Sequence, residues 1–489
     1  MNFYFTIIFL LILALLRFNK RLRFSESSPW ILPIGFCIKI LVGFFFIYIY
    51  SQHYGNGVIT ADSYNFFHDS YELYQVFKSS PLDYFRFFLG FDNPELIAKY
   101  LSNTTQWDAG SSKWFNDSRN IIRLHSIIHF FSFNNIYIHL LVSTFISIIG
   151  IKFIVNAIKS HILVSNSIAF FALLLMPNAL FWSASIIKEP IIYFSIGLFL
   201  YALLGEWSTK KKILLLSISI FCLVAIKPYI LVCAIPAIVL FGIFKYVKNK
   251  KLAIGFSLLL LLSPFIYLLL KPHNIFIEKL TFQQYDFNNI AKGGVYARAD
   301  SCIFVIHPSK THHLTINTED SLVWLHKEIE GEYILPNNRM IRKDCIIQPN
   351  ETPWILYYNG KESGSYIQST PINNSLAQLI KNIPEALVNV LFRPFPTDPP
   401  NTLFKWFSFI DTFLLHGIMI IVLLFFRRNL TKESQLIVFA LLVFALILTL
   451  LIGWTTPVLG AIVRYKIPVQ LALMLITLIV FNPKKKLNG

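Results

Sequence analysis

Charge is scarce in this chain. Asp, Glu, Lys and Arg make up 14% of its 489 residues, against about 25% in water-soluble globules. Hydrophobic residues supply 55% and the mean hydropathy is +0.58, which excludes an ordinary soluble domain and places the sequence in the membrane class. Acid is scarcer than base, with 26 Asp and Glu against 43 Lys and Arg, for a net charge of +17. That surplus forms no basic domain for nucleic acid. It sits in short clusters beside apolar runs: Arg17/Lys20/Arg21/Arg23, Lys210/Lys211/Lys212, Lys245/Lys248/Lys250/Lys251, Arg427/Arg428/Lys432 and Lys484/Lys485/Lys486. Such clusters mark the cytoplasmic ends of membrane helices and meet anionic headgroups there. The familiar catalytic signatures are missing too: no Walker A sequence, no G-x-G-x-x-G opening a helix, no H-E-x-x-H and no G-x-S-x-G. ATP-driven transport, a dinucleotide cofactor and zinc proteolysis therefore have no support in the sequence. No cofactor is required, and a divalent metal has no ligand set behind it; His312-His313 is an isolated pair, and metal binding wants more ligands.

Cysteine is also sparse, with five in the chain. Cys37, Cys222 and Cys233 fall in apolar runs, where a thiol is a small core residue. Cys302 and Cys345 share one hydrophilic segment, and a disulfide between them is expected if that segment faces an oxidising compartment.

Apolar runs are abundant. They occur at about 3–17, 30–50, 134–156, 162–182, 190–206, 213–226, 229–245, 252–270, 403–426, 435–452 and 461–482. Several fall short of the roughly 20 residues of a perpendicular span. A single helix over 213–245 would be too long and would carry Lys227 and Pro228 at its centre, so a tight hairpin is expected there. Residues 1–16 lack a signal-peptide cleavage site and read as a retained helix. Placing every basic cluster inside gives an all-α polytopic membrane protein of about eleven spans, N-terminus out and C-terminus in. The expected organisation is two spans in 1–50, an extracytoplasmic loop in 51–133 with short interfacial helices, and six spans in 134–270. A small extracytoplasmic β-rich or α+β domain follows in 271–402, then three spans and a basic cytoplasmic tail in 403–489. The β reading rests on alternating stretches at Cys302–His307, Tyr333–Leu335 and Trp354–Tyr358.

Four constellations fall at the outer membrane face under this topology. The first is Thr60-Ala61-Asp62-Ser63-Tyr64 with His68 and Asp69. A carboxylate beside a surface cavity can deprotonate a hydroxyl acceptor or bind a metal, or it can simply cap a helix. The second is Phe181 to Pro190, in which Lys188 and Glu189 stand at the lip of a helix whose unpaired N–H groups favour phosphate; alternatively the two charges pair with each other. The third is Lys227-Pro228-Tyr229, whose outward lysine needs an anionic partner or a lipid phosphate. The fourth joins Arg393-Pro394-Phe395-Pro396 to Arg464-Tyr465-Lys466-Ile467-Pro468. Guanidinium binds phosphate bidentately, although either arginine can also anchor a helix at the interface.

At these residues the chain resembles bacterial membrane glycosyltransferases of the C-type fold, the class that includes protein mannosyltransferases and lipid A aminoarabinose transferases. The likeness is one of layout across nearly the whole chain, carried by an acidic motif in the first large outer loop. It implies a sugar donor on polyprenyl phosphate, a glycan or lipid acceptor, and membrane lipids as surroundings. Asp62 takes the acidic-motif position as base or metal ligand, with Asp69 as a second candidate. Lys188, Glu189, Lys227, Arg393 and Arg464 form the phosphate-binding set. Two departures are an extra N-terminal helix and Ser63 in place of the second acid of an adjacent pair. The outward arginines and the large loop before the final helices also resemble O-antigen polymerases, which join lipid-linked repeat units. A non-catalytic lipid or polysaccharide transporter is the third class, disfavoured by helix inner halves nearly free of charge.

Overall fold

The computed structural model describes residues 3–24, 27–107, 114–249, 251–260, 275–299, 302–317, 320–335, 338–373 and 375–483. Lys250, the end of the 252–270 run and the Lys484–Lys486 cluster lie outside the described residues. The chain divides into two compact units, one of residues 1–245, 415–444 and 470–489, the other of 246–414 and 445–469.

The first unit opens with α1 (Phe3–Phe18) and α2 (Ile31–Tyr48), the latter extended by a π turn to His53. Four helices follow without a long apolar run: α3 (Ala61–Ser79), α4 (Pro81–Phe88), α5 (Pro94–Tyr100) and α6 (Asp117–Ser132). The starts of the last three are written in the sequence. Ser80, Asn93 and Asn116 each accept a hydrogen bond from a first-turn amide, and Pro81 and Pro94 occupy first-turn positions that need no donor. Next come α7 (Ile136–Ile158), α8 (Asn166–Leu174), α9 (Pro177–Trp182), α10 (Glu189–Leu204), α11 (Thr209–Ile226) and α12 (Pro228–Tyr246). An apolar helix, α13, described over Lys251–Leu260, lies near the start of the second unit.

Among the described residues, five helices are long and apolar enough to cross a bilayer: α2 with its π turn, α7, α12, α17 (Leu403–Leu424) and α18 (Lys432–Thr455). A sixth span is possible if α19 (Leu459–Tyr465) and α20 (Ile467–Val480), bent 44° at their break, count as one. The described parts of the eleven apolar runs thus contain five or six spans by length and composition. The 162–182 run is cut by Pro177 into two short helices, α1 and α10 reach only 16 residues, and α11 begins with three lysines. The anticipated break at Lys227 is present, α11 ending there and α12 starting on Pro228.

Helices α7 and α10 meet at two glycines. A Cβ on Gly150 would lie 2.6 Å from the Phe194 amide nitrogen, and one on Gly197 would strike the Gly150 carbonyl. Small residues let two helix backbones approach this closely. Gly197→Leu is therefore expected to separate the helices and cost about 1–3 kcal/mol or more, read as a lower thermal unfolding midpoint of the purified protein in detergent. This crossing holds α10 in place, and with it the charges at its N-terminus.

The second unit contains α14 (Ile275–Lys292), a seven-stranded antiparallel sheet, and the helices α15 (Leu376–Lys381) and α16 (Ile383–Leu391). The strands are β1 (Gly294–Arg298), β2 (Ile303–Ile306), β3 (Leu314–Asn317), β4 (Leu322–Leu325), β5 (Ile329–Leu335), β6 (Asn338–Ile347) and β7 (Trp354–Gly360). They are ordered β3-β4-β7-β1-β2-β5-β6. The three alternating stretches noted in the sequence fall on β2, β5 and β7. One face packs Val295, Ala297, Ile306, Val323 and Leu325 into an apolar core.

The expected disulfide is not formed: Cys302 and Cys345 are both free thiols. Cys302 precedes β2 and Cys345 lies on β6, with β5 between them. Two strand spacings come to roughly 9–10 Å, beyond the Cα separation of about 4.4–6.8 Å that a disulfide bridges. Shared compartment and polarity suggested the pairing, and strand order decides against it.

Candidate functional site

In the first unit, the charges of three separate sequence segments gather around the N-termini of α6 and α10. Lys188, immediately before α10, reaches the Asp117 carboxylate at 2.7 Å and the Ser118 hydroxyl at 3.2 Å. Its side chain is 12% exposed and Asp117's is 40% exposed, so the pair looks outward on the Asp117 side. Glu189, the next residue, is buried and bonds Lys227 across 3.5 Å. Lys188 and Glu189 therefore do not pair with each other. The partner that an outward-pointing Lys227 would require is Glu189, and burial of both turns the pair inward.

Asp62 stands in the first turn of α3, half-buried. The Thr60 hydroxyl donates to the Tyr50 carbonyl at 3.0 Å, which ties this turn to the end of α2. Phe66, one helical turn after Asp62 and so on the same face of α3, lies under the Lys188 ammonium, 5.4 Å from ring centroid to Nζ. The structure thus brings the Asp62 turn, Lys188, Glu189 and Lys227 to one end of the first unit, over a core of Phe66, Ile187, Ile192, Leu223 and Ile226.

Asp69 has a different place. It is fully buried and accepts hydrogen bonds from the Thr105 amide at 3.1 Å and the Gln106 amide at 2.8 Å, beside His68 at 3.2 Å. Such a carboxylate fastens the 105–106 segment to α3 and is not presented to a cavity as a base.

Two arginines absent from the four constellations complete the cluster. Arg119 is buried against Asp92 at 3.4 Å and over the Trp107 ring. Arg123, one turn later, donates to the Phe87 carbonyl and the Asn120 amide oxygen, and its Nη2 has no hydrogen-bond partner among the described residues. Burial lowers its pKa to about 10, opposed by the charge of Asp92. Their spacing of four, just after the Asn116 cap, was the legible signal. Lys39 was also missed. It sits in the middle of α2, fully buried, and its ammonium donates to the Ser147 hydroxyl, and to the Ser183 hydroxyl at 2.6 Å and carbonyl at 3.1 Å. A lysine inside a membrane helix marks a functional element; here it anchors the segment that presents Lys188.

Beside this cluster, α6 and α7 share buried histidines. His125 Nδ1 lies 2.9 Å from His139 Nδ1, His139 Nε2 is 3.0 Å from the Ser132 hydroxyl, and His129 Nε2 is 3.0 Å from the Ser70 hydroxyl. Burial, helped by the His129 charge, lowers His125 to about 3; burial, opposed by the Phe67 carbonyl, lowers His129 to about 4. Both lie below the ordinary 6.5, so the unfolded chain binds more protons between those values and 6.5. Stability is then complete above pH 6.5 and falls as pH drops towards 4. The expected result is a thermal midpoint that declines over this window in wild type and declines less in His129→Gln.

In the second unit, Arg393 is committed to Asp398 at 2.9 Å, and its backbone carbonyl accepts from Lys466 at 2.7 Å. Lys466 is buried and also donates to the Thr412 hydroxyl at 2.8 Å. Arg464 lies in α19, two residues before it. The two arginine segments that the sequence put together are thus joined through Lys466. Among the described residues no three His, Cys, Asp or Glu side chains are grouped to hold a metal ion.

No protein-family model matches the chain, and neither do any curated protein or solved structure.

Proposed function

We propose that the chain is a multi-pass glycosyltransferase of the cytoplasmic membrane, with about eleven spans including short and broken ones, N-terminus out and C-terminus in. It would transfer a sugar from a polyprenyl-phosphate donor to a cell-envelope glycan or lipid at the outer face. The observation that carries this reading is the Lys188–Asp117 pair, in which a largely buried ammonium at the start of α10 sits over Phe66, one turn from Asp62, and its partner carboxylate is partly exposed. The donor phosphate would exchange with Asp117 on Lys188 and take first-turn amides of α10, with Arg123 adding positive charge behind it. The acceptor hydroxyl oxygen bonds to the sugar carbon, the sugar–phosphate bond breaks with its electron pair leaving on phosphate, and the acceptor proton passes to Asp62. Low surrounding dielectric strengthens the hold on the leaving phosphate. Glu189 and Lys227 keep the end of α10 fixed against the α11–α12 junction.

The test is surface glycan of cells carrying wild type or Asp62→Asn at equal protein level. Loss of about 100-fold or more in transferred sugar is expected for removal of a catalytic base. Unchanged glycan with Asp62→Asn refutes this assignment, and products that shift in chain length, in place of single-sugar transfer, support the polymerase.

A further inference from the structure

The sheet face of the second unit opposite Val295, Ala297 and Ile306 holds a cleft that nothing in the transfer reaction uses. Helix α14 packs on this face, where Tyr296, Ile303, Val305 and Ile334 are buried with Tyr285 against them. Next to the helix opens a cavity of about 370 Å³, lined by Tyr285, Tyr296, Tyr357 and Tyr358, by Asp286 and Asn289, and by three isoleucines. Its size falls in the range of small-molecule sites, about 300–1,000 Å³.

The strand that supplies half of the wall is irregular at this point. Tyr296 of β1 pairs with Tyr358 and Ala297 pairs with Leu356, so Tyr357 is the extra residue of a bulge in β7. Neighbouring residues of a regular strand face opposite sides; the bulge turns both tyrosines to the cleft, as bulges do where a side chain is re-aimed. Tyr357 and Tyr358 are 56% and 36% exposed, and the Tyr358 ring meets the Tyr296 ring edge-on at 5.6 Å. On the other wall, Asp286 and Asn289 stand three apart on α14 and therefore share one face.

We infer that this cleft binds a neutral saccharide. Tyrosine rings offer flat apolar faces with a polar rim, which suits the C–H face of a sugar ring, while Asp286 and Asn289 supply the acceptors and donors that its hydroxyls need. Among the described residues no lysine, arginine or histidine lines the cavity, and the Asp286 carboxylate in its wall disfavours phosphate and other anions. An acyl chain would meet the isoleucines of this wall but would leave the Asp286 carboxylate and the Asn289 amide against hydrocarbon. A peptide strand finds less backbone to pair with here, because β7 is already paired with β1 along its length and with β4 at Trp354 and Ile355. The inference stands apart from the transfer reaction, since all of these residues belong to the second unit.

The test uses the full chain in lipid nanodiscs and an array of neutral oligosaccharides, including maltotetraose, chitotetraose and mannotetraose, read by saturation-transfer NMR and titration. At least one is expected to bind saturably. Tyr357→Ala and Asp286→Asn should each weaken it about tenfold or more, with the thermal midpoint unchanged, and Tyr357→Phe should keep affinity within about threefold because the ring face remains. Lys188→Ala should bind the saccharide normally, which separates this site from the proposed reaction. Absence of saturable binding by every member of the array overturns the inference. So does a Tyr357→Ala protein that binds as wild type does.

Discussion

Lys227→Ala is expected to destabilise the protein by about 3–5 kcal/mol, because it leaves a buried carboxylate without its counter-charge. Glu189 and Lys227 are each nearly inaccessible, with side chains 2% and 6% exposed. Neither can turn to water when the other is removed. The volume-matched Glu189→Leu and Lys227→Met should each cost a similar amount for the same reason, while their double variant, which removes both charges together, should recover most of the loss. Thermal unfolding of the four proteins in detergent reads this as a strong non-additivity. Additive losses would show that the two charges do not depend on each other.

Lys188→Ala should behave in the opposite manner, leaving the fold in place and removing the activity. Its partner Asp117 is 40% exposed and can be hydrated when the lysine is gone, so the stability cost is about 1 kcal/mol or less. A fixed positive charge on a leaving phosphate is worth about 10²–10³ in rate. Transfer from a synthetic polyprenyl-phosphate sugar in proteoliposomes is therefore expected to fall by that factor, with Lys188→Arg retaining part of it. Full activity of Lys188→Ala would remove this lysine from the reaction, whatever the thermal data show. Comparing the two lysines separates a residue that holds the end of α10 from one that the same helix presents.

The distinction was not available from residue type. Lys188 and Lys227 both lie beside apolar runs and next to proline-led helices, and both suggested phosphate binding. Burial, set by which helix packs over each, gives them different roles. Asp69 shows the same effect: its sequence neighbourhood matches that of Asp62, yet the backbone amides at 105–106 enclose it. Arg119 and Arg123 went unmarked because α6 carries no long apolar run to draw attention to it, although its asparagine cap and i,i+4 arginines were visible.

Composition and pattern by themselves determined that the protein is apolar, basic at its helix ends, and divided into helical segments with a strand-rich insert. Helix starts followed from caps and prolines, and strands from alternation, because these depend on neighbours a few residues apart. The number of helices able to span a bilayer depended on where proline and lysine interrupt the runs, which only the folded chain resolved. Pairings across long separations were decided by tertiary structure alone: Lys188 with Asp117, Glu189 with Lys227, and β5 between two cysteines. Such partners are chosen by packing of distant elements, and a charge or thiol carries no local mark of which one it will meet.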